Sequence, residues 1–285
     1  MAAFCDLHTH SCFSDGTLTP AELIRLAEEA GLGAVALCDH NTVAGLPAFL
    51  ETAGGSHVEA ISGIEFSTDY CGKELHILGL FIEPEHYGAI NGLLVEALER
   101  KDQSNRLLVE KLAEQGLSVD YEAIRSEANG TVNRAVIGAA LVRRGFCGSV
   151  KEAFDNWLDP ERGFYVPPKR PDAFEVIRFI KSIGAVAVLA HPFLNLDEGQ
   201  LREFLAHAED LDGMEVYYSK FTDAETELAG KIAVEFGLVK SGGSDFHGAN
   251  KPDIQIGVGK GNLRVPMEAL RQLKTRKNTG SSCEK

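Results

Sequence analysis

Short apolar runs alternate with segments of helical periodicity along most of this chain. Runs of Val, Ile, Leu and Ala at 3–7, 34–37, 58–64, 75–82, 185–190, 213–217 and 238–240 read as seven buried strands. Between them, apolar residues recur at helical spacing. Thr19-Pro20-Ala21-Glu22 supplies an N-cap, a proline at the first helical position and a capping-box glutamate, and Gly31 closes that helix. Residues 42–53 read as a short helix interrupted near Pro47, and 172–183, 201–208, 223–236 and 266–274 as further helices.

From about Pro84 to Glu161 the alternation stops, and helices at 90–115, 121–128, 134–144 and 150–158 follow one another without a strand between them. The pattern predicts an α/β barrel made of 1–83 and 162–275, discontinuous in sequence. Residues 84–161 are expected as a small helical insertion domain contributing to the substrate pocket, and the polar residues 276–285 as a flexible tail.

Composition narrows the function classes. A net charge of −14 over 285 residues disfavours a broad surface for nucleic-acid backbones, so an anionic substrate must meet local positive charge. A short oligonucleotide end entering a pocket is still compatible. No apolar stretch approaches the roughly 20 residues of a membrane span, and no secretory signal is visible, so a cytoplasmic protein is expected. The six cysteines are scattered without a Cys-x-x-Cys pair, which points to reduced thiols and away from a thiolate zinc site.

The chemistry-bearing residues collect at the carboxyl ends of the predicted strands, where barrel enzymes place their active sites. The first strand leads into Asp6-Leu7-His8-Thr9-His10, whose two histidines share a face at a spacing of two. Asp15 follows in a loop, Asp39-His40-Asn41 ends the second strand and Gly63-Ile64-Glu65 the third. His76 lies within the fourth, His191-Pro192 follows the fifth, and Ser244-Asp245-Phe246-His247 follows the last. One histidine at a strand end is usually a hydrogen-bonded structural residue. So many ionisable groups at one mouth would be costly to bury without compensating cations, and imidazole with carboxylate suits Mn, Fe or Zn. His57, His86 and His207 fall outside these strand ends and read as surface or packing residues.

In order and spacing, these motifs, with Glu74-Leu75-His76-Ile77-Leu78-Gly79 and Leu189-Ala190-His191-Pro192, resemble the polymerase and histidinol phosphatase (PHP) domain family, in its branch of stand-alone nucleotide phosphoesterases. The resemblance covers most of the chain. It implies a distorted (β/α)7 TIM-like barrel, the PHP fold, with three divalent metal ions. By analogy His8, His10, Glu65 and Asp245 would hold the first ion; Glu65, His76 and His191 the second; Asp15, His40 and His247 the third.

The implied reaction is hydrolysis of phosphate esters of a nucleotide or phosphorylated ribose by a hydroxide held on the metals, with Asp245 and His191 as candidates for proton handling. Arg134, Lys169 and Lys220 are candidate phosphate grips, and each is equally a common type of solubilising charge. Relatives carry a histidine where this chain has Val136, and another near Phe221; both departures are expected to alter substrate contacts. Alternatives are a cyclic phosphodiesterase acting on a small sugar phosphate, a 5'-3' exoribonuclease on short RNA, a metal-dependent amide hydrolase, and a non-catalytic metal-binding module. No protein partner is evident.

Overall fold

The computed structural model describes residues 4–128 and 132–280. Its elements run β1 (Phe4–Thr9), α1 (Pro20–Glu29), β2 (Ala34–Leu37), α2 (Leu46–Ala53), β3 (Glu59–Tyr70), β4 (Lys73–Leu80), α3 (Tyr87–Glu114), α4 (Tyr121–Glu127), α5 (Arg134–Arg143) and α6 (Val150–Ala153). After α6 come α7 (Ala173–Ser182), β5 (Val186–Leu189), α8 (Glu198–His207), β6 (Gly213–Tyr218), α9 (Asp223–Glu235), β7 (Val239–Gly243), β8 (Val265–Pro266) and α10 (Met267–Gly280).

Local sequence accounts for several of these boundaries. The Thr19 hydroxyl accepts from Glu22 N–H at 3.3 Å while the Glu22 carboxylate accepts from Thr19 N–H at 2.7 Å, so the capping box forms in both directions. Residues 42–45 stay outside α2, which begins at Leu46 with Pro47 in its first turn. The helix expected over 150–158 is regular only to Ala153, and Phe154–Leu158 continue it as a wider π-type turn. At the other end α10 runs to Gly280, so 276–280 of the expected tail are helical; 281–285 lie outside the described residues.

The strands lie in the order β7-β6-β5-β4-β3-β2-β1-β8. A parallel bridge between Thr9 and Phe246, with Asp245 N–H donating to His8 carbonyl at 2.9 Å, joins β1 to the end of β7 and nearly closes the barrel. The triplets β1-β2-β3 and β5-β6-β7 are parallel. β4 departs from the parallel pattern. It is tied to β3 by the two-residue turn Cys71-Gly72, whose φ values of 52° and 79° match the mirror-type turns that suit a hairpin. It therefore runs antiparallel to both β3 and β5. An eighth, two-residue strand, which the apolar pattern did not predict, pairs antiparallel with β1.

Alternate residues of the strands feed two apolar layers. Cys5, Leu7, Ala36, Val186 and Val188 pack with Leu270 and Leu273 of α10, whereas Val35, Ala187, Leu189 and Met214 face the layer of α1, α2, α7, α8 and α9. From α7 alone, Val176, Ile177 and Ile180 are fully buried, each worth about 1.5–3 kcal/mol of transfer free energy. The C-terminal part of α3 joins α4, α5 and α6 around a third cluster that includes Leu108, Leu112, Ile137 and Leu141. No helix among the described residues is long and apolar enough to cross a membrane.

Candidate metal centre

All nine predicted ligands meet at the mouth of the barrel, gathered around Glu65. The Oε2 atom of Glu65 lies 3.2 Å from Nε2 of His8, 3.2 Å from Nε2 of His10 and 3.1 Å from Nδ1 of His40. On its other side, Oε1 lies 2.8 Å from Nδ1 of His76 and 3.0 Å from Nε2 of His191. Oδ1 of Asp245 is 3.3 Å from Nε2 of His10, and Oδ1 of Asp15 is 3.1 Å from Nε2 of His247. Among the described residues, donor atoms close enough to share an ion form four overlapping groups: His8-His10-Asp245, His8-Glu65-His191, His40-Glu65-His76 and His10-Asp15-His40-His247. His8, His10, His40 and Glu65 thus each belong to two groups, whereas in the sets implied by resemblance only Glu65 is shared.

The strand ends reach one point because the backbone there is unusual. His191 and Asp245 adopt φ of 27° and 56°, and Asn41, beside His40, adopts 52°. Non-glycine residues in this region cost of order 1–3 kcal/mol, and such strain concentrates at functional sites. β7 approaches β1 so closely that a side chain on Gly243 would collide with His8. Asp6, fully buried, accepts from the backbone N–H groups of Ser244 at 2.9 Å and Gly257 at 2.7 Å, locking the segment before Asp245 onto β1. Asp39 is turned away from the cluster. It accepts from Ser11 N–H at 2.8 Å and from the hydroxyls of Ser11 and Ser14, each at 2.6 Å, and so shapes the loop that presents Asp15.

The electrostatics fit cations. Burial opposes charge on His10, but the adjacent Asp245 and Glu65 carboxylates more than offset it and push the ring up to about 9. His76 is likewise penalised by burial yet driven by Glu65 and Glu74 to about 10. Burial pulls His40 down to about 3. Asp15, Glu65 and Asp245 are held well below the usual carboxylate range despite their burial, Asp15 by His247 and His40, Glu65 by His40 and His8, and Asp245 by Lys251 and His247. Glu65 and Glu215 likewise raise His8 well above its ordinary value against its burial, so the carboxylates demand positive charge that His8, His10 and His76 supply only by taking up protons. Oε2 of Glu65 and Nδ1 of His10 and His40 are buried without a hydrogen-bond partner, as donor atoms awaiting cations would be. The nitrogen and oxygen donors suit divalent ions of the Mn, Fe and Zn type.

Beside this cluster opens a cavity of about 710 Å³ with Arg134, Lys169 and Lys220 on its wall, together with Lys101, Arg170 and Lys251. This is the local positive charge that the acidic chain requires. Arg134 is held in place: its guanidinium lies 4.5 Å from the Tyr165 ring centroid and 5.5 Å from that of Phe154, and Nη1 donates to Leu158 carbonyl at 3.3 Å. Asn133, one residue earlier, donates to Oδ2 of Asp15 at 3.0 Å, linking the start of α5 to the cluster. Arg170 is paired with Glu74 at 2.6 Å.

Val136 and Phe221 do not border the cavity. Val136 packs against the apolar cluster of the helical segment, and Phe221 is buried against the rings of Tyr218 and Phe193.

Three residues with a place at the site were not singled out from sequence. Glu215, fully buried on β6, accepts from Nδ1 of His8 at 3.0 Å and from the backbone N–H of His191 at 2.7 Å. A lone acid between Met214 and Val216 in an apolar strand was the available signal. Lys251 donates to Oδ2 of Asp245 at 2.7 Å, alongside the Tyr218 hydroxyl at 2.8 Å. Lys101, on α3, reads in sequence as an ordinary solvated helix charge.

Known proteins agree with this geometry. The PHP domain family matches residues 6–166. The 5'-3' exoribonuclease Rnm of Salmonella typhimurium is 34% identical over 252 residues, covering 86% of this chain and 86% of its own length. A phosphoribosyl 1,2-cyclic phosphate 1,2-diphosphodiesterase of Eggerthella lenta is 32% identical over 253 residues, covering 85% of this chain and 94% of its own. Among solved structures, a protein of Bifidobacterium adolescentis described as a metal-dependent phosphoesterase superposes with a TM-score of 0.85 at 28% identity, covering 97% of each chain.

Proposed function

Because the chain belongs to the PHP domain family, we propose that it is a metal-dependent phosphoesterase that hydrolyses phosphate esters of a nucleotide or phosphorylated ribose. The observation that carries this reading is Glu65: both of its oxygens are ringed by histidine nitrogens at the edge of a cavity walled by Lys and Arg. We assign one divalent ion to His8, His10, Glu65 and Asp245, a second to Glu65, His76 and His191, and a third to Asp15, His40 and His247. Bound there, such ions supply Lewis acidity, acidifying water and balancing the charge that develops on phosphoryl and leaving oxygens.

The chain's own groups do the rest. Arg134, fixed by two aromatic faces and a carbonyl, offers a preorganised fork to phosphate, with Lys169 and Lys220 adding charge on the same wall. Asp245 Oδ2 already accepts from Tyr218 and Lys251, which keeps this carboxylate ionised, so that in proton handling it can accept hydrogen bonds but has no proton of its own to give. His191 also borders the cavity and is the other candidate for proton handling. The helical segment 84–161 covers the pocket through Lys101, Asn133 and Arg134, while Cys5, Cys38, Cys71 and Cys147 are unpaired thiols that suit a cytoplasmic enzyme.

The named relatives act on RNA ends and on a phosphoribosyl cyclic phosphate, and what these share is a ribose bearing phosphate. The test is a panel of nucleoside phosphates, phosphorylated and cyclic sugar phosphates, short RNA and amides, offered to Mn-loaded protein. Phosphate or nucleotide release from one ribose-containing group is expected. Turnover of amides without any phosphate ester would overturn the proposal.

A further inference from the structure

Glu215 presents one carboxylate to two of the groups proposed as metal ligands. Oε1 accepts from Nδ1 of His8 on β1, and Oε2 accepts from the backbone N–H of His191, which follows β5. Both bonds are buried, at 3.0 Å and 2.7 Å, and the carboxylate has no solvent exposure.

We infer that Glu215 is a positioning residue that sets the His8 tautomer and the His191 backbone together, and so prepares two ligand sets from one point. The inference rests on the reading of His8 and His191 as metal ligands. A proton held on Nδ1 of His8 leaves Nε2 with a lone pair, and Nε2 is the atom that faces Glu65 and His10. The second oxygen retains His191 in its strained φ of 27°, which points Nε2 at the other oxygen of Glu65. Both partners are N–H donors, so the role requires an acceptor at each position. A carboxylate provides two; an amide provides one. Glu215→Gln must therefore either face its NH2 to His8, favouring the Nε2–H tautomer that cannot ligate, or face it to the His191 N–H and leave two donors opposed.

The experiment compares the wild-type chain with Glu215→Gln and Glu215→Asp by Mn²⁺ titration calorimetry and by ¹⁵N spectra of the histidine rings in metal-free protein brought to alkaline pH, where the rings are neutral and the tautomer is defined. In Glu215→Gln the Mn²⁺ dissociation constant is expected to rise about 10–100-fold, the usual effect of removing a hydrogen-bond partner of a metal ligand. His8 is expected to lose its Nδ1–H signature while the near-UV circular dichroism stays native. Glu215→Asp keeps two acceptors on a shorter arm and is expected to recover part of the affinity; it also carries the test if the Gln variant does not fold. Wild-type affinity together with an unchanged His8 tautomer in a folded variant would overturn the inference. Wild-type protein that binds no Mn²⁺ would instead remove the metal reading, leaving the tautomer to decide the role of Glu215.

Discussion

Nε2 of His8 lies 3.0 Å from Nε2 of His10, and both nitrogens lie 3.2 Å from the same oxygen of Glu65. Two imidazole lone pairs and a carboxylate oxygen directed at one point repel one another unless a cation or a shared proton stands between them. The cluster is therefore stable in two loaded forms, protonated or metal-bound, and the difference between these forms can be measured.

Metal should stabilise the fold directly. Mn²⁺ at about 100 times its dissociation constant is expected to add about 2.7 kcal/mol for each site filled, since it binds the folded chain and not the scattered ligands of the unfolded one. The check is thermal unfolding after chelation and on adding Mn²⁺ back, where the midpoint should fall and then recover with a logarithmic dependence on concentration.

The pH response of the chelated protein has a defined sign. His10 and His76 rise to about 9 and about 10 from an ordinary 6.5. Their contribution is complete below pH about 6.5 and is lost as pH climbs through 9 to 10. Divalent ions compete with those protons, so their affinity should increase over the same interval. Melting curves of chelated protein between pH 6.5 and 10 should show declining stability, while the gain from added Mn²⁺ grows; a flat profile in both series contradicts the assignment.

Arg134→Ala should raise KM about 10–100-fold, consistent with loss of a charge-assisted phosphate contact, while metal content stays at the wild-type level. Arg134→Lys is expected to recover little, because an ammonium lacks the planar fork that spans Tyr165 and the Leu158 carbonyl. Steady-state kinetics with metal analysis on the same samples separates this outcome from damage to the cluster.

Asp39→Ala removes the acceptor of three hydrogen bonds from Ser11 and Ser14. A loss of about 3 kcal/mol in urea unfolding is expected, together with weaker metal binding through the loosened Asp15 loop. Unchanged unfolding would show that the loop holds its shape without Asp39.

Much of this site was legible in the sequence because strand geometry is periodic. His8 and His10 share a face by alternation, and most of the other ligands stand at or just beyond the ends of apolar runs, with His76 inside one and Asp15 in a loop. What alternation cannot encode is contact between distant strands. Glu215 acquires its partners only when β6 packs beside β5 and β1 reaches the same mouth, and Lys251 meets Asp245 only through a loop. The antiparallel course of β4 depends on a Cys71-Gly72 turn whose composition is a weak hairpin signal beside Asn-Gly or Asp-Gly. Val136 and Phe221 stand next in the chain to the wall residues Ala135 and Lys220, yet a position in sequence next to the pocket does not say which way the side chain points.

The central claim is that Glu65 organises a divalent-metal centre that cleaves phosphate esters. The most direct test measures bound metal and phosphate-ester hydrolysis for the wild-type chain and Glu65→Gln, prepared identically and loaded with Mn²⁺. Close to three ions per wild-type chain with measurable hydrolysis are expected, and a folded variant that loses the two ions assigned to Glu65 together with the hydrolysis. A folded Glu65→Gln that retains the wild-type metal content and rate would contradict the claim.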